Sequence, residues 1–138
     1  MSEPARLDVR IATDPAEAWL VQCQIVDWLK ERQYPAPDQF GVRLSLEEGL
    51  MNAIKHGNRG DLSKSVRVFC EVTDARTYIE IHDQGVGFDP AAVPDPLAEE
   101  NLEKASGRGL LLMRQFMSKV EFRDHGRLLV LEKHRTPE

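Results

Sequence analysis

Leu7, Val9 and Ile11 alternate with Asp8, Arg10 and Ala12 ahead of a Thr13-Asp14-Pro15 break, a pattern that predicts a short strand with one buried face. A helix is expected next. Thr13 or Asp14 can accept from first-turn amides and Pro15 suits the first helical position. Trp19, Gln22 or Cys23, Val26 and Leu29 or Lys30 then recur at helical spacing to about Gln33. Tyr34-Pro35-Ala36-Pro37 forces an extended link, and Asp38 is placed to cap a second helix from about Pro37 to His56. Beyond the turn-rich Gly57-Asn58-Arg59-Gly60-Asp61 come two alternating runs, Val66, Val68, Cys70, Val72 and Thr77, Ile79, Ile81, joined through Thr73 to Arg76 as an antiparallel hairpin. A last helix over about Leu110 to Ser118 and two strands, near Val120 to Phe122 and Leu128 to Leu131, turn at Asp124-His125-Gly126.

Between Asp83 and Gly109 the periodicity gives way to Gly, Pro, Ala and charge for about 25 residues, a length that points to a functional or disordered segment. The chain has 138 residues, 41% of them hydrophobic and 30% charged, which suits one hydrophobic core and excludes the disordered and collagen-like classes. With 18 basic against 23 acidic residues the net charge is -5, so no chain-wide footprint for nucleic acid is present and direct nucleic-acid binding is not expected. The apolar stretch from Ala16 to Val26 is interrupted by Glu17, Gln22 and Gln24, too short and too polar for a membrane span, and no signal peptide is evident. Cys23 and Cys70 form no CxxC pair. They read as buried structural thiols of a cytoplasmic protein, without a disulfide framework or a zinc site.

Three constellations carry candidate chemistry. On the second helix Phe40, Leu44, Leu50, Met51 and Ile54 share an apolar arc, and Glu48, Asn52 and His56 climb its edge at i,i+4 steps. Glu47 projects nearer the centre of that arc, but the spacing to Asn52 favours Glu48. Asp83-Gln84-Gly85-Val86-Gly87 follows a predicted strand directly: the glycines let the backbone approach a ligand, and Asp83 can accept from an amine. Gly107-Arg108-Gly109-Leu110 opens the last helix, where unpaired amides and the dipole favour an anion. The chain has neither a GxxxxGK[ST] loop nor the Rossmann order of elements, so a nucleotide site here would be of another kind.

Taken in this order, the three constellations resemble the Bergerat-fold ATPases of the gyrase, heat-shock chaperone, histidine kinase and MutL superfamily. Glu48 to Gly57, Asp83 to Phe88 and Gly107 to Leu110 followed by Met113 are most similar to the small anti-sigma-factor serine/threonine kinases. The likeness spans essentially the whole chain and implies one ATPase domain over residues 1–138. The implied fold is α+β, a two-layer α/β sandwich whose sheet is mixed and mostly antiparallel, with helices packed on one face.

The resemblance implies ATP and Mg²⁺ as cofactors. It casts Glu48 as the general base toward an attacking hydroxyl and Asn52 as the magnesium ligand, roles that suit a carboxylate and a hard amide oxygen. Asp83 would take the adenine amine, with Gly85 and Gly87 letting the base dock. Gly107, Gly109 and Leu110 would cradle phosphates through their amides, and Arg108 would add charge. Lys55 and His56 match positions that touch phosphate or ribose, although an exposed helix end explains them equally. Residues 88–106 would form the ATP lid, while Arg59 and Asp61 read as stabilisers of the turn after the helix.

Two departures stand out. The kinases often carry an Arg in the lid, where the nearest basic residues here are Lys104 and Arg108, and they often have Gly-Thr where this chain has Gly126-Arg127. The expected function is phosphorylation of an anti-anti-sigma protein on serine and sequestration of a sigma factor, with homodimers often formed through the sheet. The alternatives are a nucleotide-dependent partner-switching module without kinase activity and a detached histidine-kinase ATP-binding domain. The latter is disfavoured because no phosphoacceptor helix pair precedes the first strand.

Overall fold

The computed structural model describes residues 3–87 and 109–137. The strands are β1 (Ala5–Ala12), β2 (Ser65–Val72), β3 (Arg76–His82), β4 (Lys119–Arg123) and β5 (Leu128–His134), and the α-helices are α1 (Pro15–Glu31), α2 (Ala36–Met51) and α3 (Gly109–Phe116). One sheet in the order β1-β2-β3-β5-β4 carries the strands. The expected α+β sandwich therefore forms, and where a mixed sheet was expected, all four ladders among the described residues are antiparallel.

Period-two alternation decides which face the helices cover. Register aligns Val68, Ile81 and Leu129 in one row and Cys70, Ile79 and Leu131 in the next. These six side chains join Ile25 and Leu29 of α1, Val42, Leu46 and Leu50 of α2, and Leu110 and Met113 of α3 in a single core. The opposite face carries the intervening polar residues, cross-linked as Arg67 to Asp8 and Glu80, Arg76 to Glu132 and Arg6 to Glu71. Phe69 and Tyr78 meet edge to face between them, with ring centroids 6.1 Å apart. The predicted buried face of β1 narrows to Ile11, because at the sheet edge Val9 is 38% exposed.

Asp14 caps α1 as expected, its carboxylate accepting from the Ala16 amide at 2.9 Å. Asp38 does not cap α2, which begins behind Pro35 without a side-chain cap. Its buried carboxylate instead accepts from the Thr136 amide (2.8 Å) and hydroxyl (2.7 Å), fastening the tail that follows β5 to the start of α2. Asp38→Ala leaves both Thr136 donors without their partner. It is expected to lower unfolding free energy by about 2 kcal/mol, read from urea denaturation.

The buried stripe of α2 is Val42, Leu46 and Leu50, continued by Ile54. The expected arc was turned too far toward Phe40, which is 43% exposed and packs edge to face on Phe116 of α3 at 5.3 Å. Gly41, Ser45 and Gly49 are buried as well, Gly41 against Phe116 of α3 and Gly49 against Ile81 and Leu129 of the sheet, and these weakly apolar residues skewed the wheel. Cys70 is buried as expected, and the same burial pushes its thiol well up. Cys23 is only half-buried, because it lies on the flank of α1 and not on its core stripe, so the expectation of a buried thiol there is corrected.

Candidate functional site

The second helix does not run as one α-helix to His56. After Met51 it continues as a π-helical turn over Asn52–Gly57, closed by the Asn58 amide donating to the Ala53 carbonyl at 2.8 Å. Such i→i+5 segments recur at functional sites, since the extra residue turns side chains out of the α-helical phase. The Asn52 amide still donates to the Glu48 carbonyl, so the expected step from Glu48 to Asn52 is kept; the change of phase falls beyond Asn52 and shifts Lys55 and His56 off the i,i+4 ridge of the wheel. Asn52 is half-buried, and Lys55 and His56 are exposed.

One end of this rod meets the last helix. Glu48 points toward α3, while Glu47 is turned to solvent. Its carboxylate lies directly against Gly109, closely enough that a Cβ on Gly109 would overlap Oε2. That oxygen is buried without a hydrogen-bond partner among the described residues. Burial, followed by the neighbouring Glu47 charge, raises the Glu48 pKa, and Lys55 opposes the rise. A buried carboxylate oxygen without a partner costs stability. Leu110, one residue on, is buried in the core, so it anchors the helix start and only its backbone can serve a ligand.

The other end meets the loop after β3. Gly57 lies against the Asp83 carboxylate, with Oδ2 the nearest side-chain atom, and Gly85 stacks directly on the Gly57 carbonyl, where no side chain would fit. Asp83 Oδ1 accepts from the Gly85 amide at 2.8 Å and the Asp83 amide donates to the Arg127 carbonyl at 3.0 Å. Burial raises the Asp83 pKa, with the Gly85 hydrogen bond opposing it. Gly87 holds φ +78 beside the His125 carbonyl, in the left-handed region that glycine adopts freely. Nine residues separate Glu48 from Gly57, a rise on the order of 13 Å. One helical rod therefore links Glu48 at the start of α3 to Asp83 in the loop after β3.

The structure brings Glu48 to Gly109, and Asp83 to Gly85 and Gly57, while the Leu110 side chain goes into the core. Gly107, Arg108 and the expected lid at 88–106 lie outside the described residues. Asp61 does hold the turn after the helix, accepting from the Ser63 amide and hydroxyl. Arg127, standing where Thr was expected, donates to the Gly85 carbonyl at 3.4 Å and to Asp124 at 3.3 Å. Asp124, His125 and Gly126 all have positive φ (51, 55 and 81), so the tight turn that carries this Arg is built from successive left-handed residues. Sequence reasoning missed Asn58, whose side chain is fully buried and hydrogen-bonded at the foot of the Asp83 loop. An Asn just after a helix reads as an ordinary terminator, and its burial was the only distinguishing signal.

Helices thus cover one face of an antiparallel sheet, and half-buried Glu48 and Asp83 stand at the two ends of one helical rod. The chain belongs to the histidine kinase-like ATPase domain family, whose model matches residues 11–133. Among curated relatives, the anti-sigma F factor of Clostridium perfringens (strain ATCC 13124) is 29% identical over 98 residues, covering 67% of this chain and 69% of the relative. That of Geobacillus thermodenitrificans (strain NG80-2) is 29% identical over 99 residues, 67% of each. The anti-sigma F factor of Bacillus thuringiensis (strain Al Hakam) is 31% identical over 83 residues, 58% of this chain and 56% of the relative. The family assignment implies ATP as the ligand. No helix among the described residues is long and apolar enough to cross a membrane.

Proposed function

We propose that this protein is an ATP-dependent serine/threonine kinase and anti-sigma factor: it phosphorylates an anti-anti-sigma protein on serine and, in its other state, sequesters a sigma factor. The buried, unpartnered Oε2 of Glu48 at the start of α3 carries this reading. A structural carboxylate would be paired, whereas a general base must keep an oxygen for a substrate proton. The names of the similar anti-sigma F factors support the sigma-factor side. In this reading residues 1–138 are one ATPase unit acting in the cytoplasm, as a homodimer and without direct contact to nucleic acid.

Asp83 accepts the adenine amine, and the Gly85 and Gly87 backbone allows the base to lie flat against the loop. Gly107, Gly109 and Leu110 offer their amides to the phosphates, with Arg108 and Lys55 supplying positive charge and His56 reaching the ribose or phosphate side. Glu48 accepts the serine proton as Oγ bonds to the γ-phosphorus and the bond to the ADP oxygen breaks, so ADP and phosphoserine are the products. Magnesium would be held by Asn52, whose neutral amide oxygen is a hard ligand one turn from Glu48. Among the described residues no group of three or more His, Cys, Asp or Glu stands ready to hold a metal, so Asn52 would share the ion with nucleotide phosphates. When bound, the ion neutralises charge on the phosphates.

Incubation with γ-labelled ATP and the candidate anti-anti-sigma protein is expected to place label on a serine. Tight Mg-ATP binding with no transfer to any antagonist would favour the partner-switching module instead, and transfer to a histidine would favour the detached histidine-kinase domain. Failure to bind ATP would remove all three readings.

A further inference from the structure

The Asp83 carboxylate recognises a base only if the loop that carries it is held still, and the clamp on that loop is assigned by none of the family motifs in the chain. Asn58 is fully buried, yet its side chain makes three hydrogen bonds. Nδ2 donates to Thr13 Oγ1 at 3.1 Å and to the Ser65 carbonyl at 2.9 Å, and Oδ1 accepts from the Gln84 amide at 2.8 Å. Thr13 Oγ1 in turn donates to the Lys64 carbonyl at 2.8 Å. The residue that begins this network directly follows the π-helical turn, and the one that receives it directly follows Asp83. A second tie runs in parallel, the Ser65 amide donating to Gln84 Oε1 at 2.8 Å.

A buried amide is tolerated only when its polar atoms are satisfied, and a satisfied network holds its members in one arrangement. The Asp83-Gln84 peptide is thereby fixed from the helix side by Asn58, while the Asp83 amide is fixed from the β5 side by the Arg127 carbonyl. We propose that Asn58, assisted by Gln84, is the positioning residue for base recognition, setting the Asp83 carboxylate where it meets the exocyclic amine of adenine. This rests on the reading of Asp83 as the adenine acceptor. It touches no ligand itself and acts through the loop.

The discriminating probe is inosine triphosphate, which keeps the sugar and phosphates of ATP but replaces the amine with a carbonyl. In the full chain, the wild type is expected to prefer ATP. Asn58→Ala should weaken ATP roughly tenfold and leave inosine triphosphate unchanged, collapsing the preference. Gln84→Ala removes an exposed side chain and with it the parallel tie to the Ser65 amide, and should lower the preference by a smaller factor, about threefold. Hydrogen exchange in the unmodified protein supplies a test free of any folding defect: the Gln84 amide should be strongly protected, and should lose protection in Asn58→Ala. Equal loss of both nucleotides in Asn58→Ala would reduce Asn58 to a structural role, and an unchanged preference in Gln84→Ala or a rapidly exchanging Gln84 amide would overturn the clamp. A wild type that binds neither nucleotide, or binds both alike, would overturn the Asp83 reading and not the clamp.

Discussion

Asp83→Asn is expected to weaken ATP binding by about a hundredfold and to move the preference toward inosine triphosphate, read by titration calorimetry of the purified chain with each nucleotide. The substitution is close to isosteric, and its remaining carbonyl can still accept from the Gly85 amide as Asp83 Oδ1 does at 2.8 Å. The loop should therefore hold. What changes is the other oxygen, which faces Gly57 and becomes an amide donor in the variant. A donor opposed to the adenine amine loses a charge-assisted hydrogen bond and adds a mismatch in a half-buried site, together about 3 kcal/mol. The same donor is complementary to the inosine carbonyl, which gives the expected reversal. Burial raises the Asp83 pKa, so the carboxyl is held above its ordinary value of 3.8. Its contribution to stability is thus greatest at low pH and falls as pH rises through its folded pKa, so removing the charge is not expected to destabilise the fold at neutral pH. A variant that binds ATP as tightly as the wild type would exclude Asp83 from base recognition.

Most of this architecture was legible because alternation and turn residues act locally. Val66 to Val72 and Thr77 to Ile81 state their faces outright, and Asp14-Pro15 states the start of α1. The readings that needed correction depend on tertiary partners. Asp38 looks like a cap until the chain's end returns to it, since Thr136 is 98 residues away. The arc of α2 was misplaced because Gly41, Ser45 and Gly49 count as weakly apolar on a wheel yet lie on the buried side, where small residues allow close packing. The π-helical turn has no local signature in Asn52 to Gly57. For the site, the three motifs identified the elements and the structure supplied their apposition: Glu48 on Gly109, Gly57 under Asp83. Asn58 was invisible for the opposite reason, as its importance lies in long-range hydrogen bonds to Thr13 and Gln84 that spacing does not encode.

Glu48→Gln is expected to separate catalysis from folding in opposite directions. Phosphoryl transfer to the anti-anti-sigma protein should fall by about a hundredfold to ten-thousandfold, since the amide cannot accept the serine proton, while ATP affinity stays within a few-fold of the wild type. Stability should rise. The wild-type carboxylate is kept partly desolvated beside Glu47, with Oε2 unpaired, and its pKa lies above the ordinary 4.5. The folded state therefore holds this proton to a higher pH than the unfolded chain does, so the group's contribution to stability is fully present below pH 4.5, declines as pH rises through the folded pKa, and is lost above it. Gln carries no charge to desolvate and removes that loss. The gain at neutral pH is expected as a Tm above that of the wild type. Thermal scans of both proteins across the acid range should show the Tm difference shrinking toward zero as the wild-type carboxyl becomes protonated. Reduced labelling with a lowered Tm at every pH would point to a damaged fold, and undiminished labelling would exclude Glu48 as the base. A raised Tm together with lost transfer is the signature of an acid held in place against stability, because the reaction requires its unpaired oxygen.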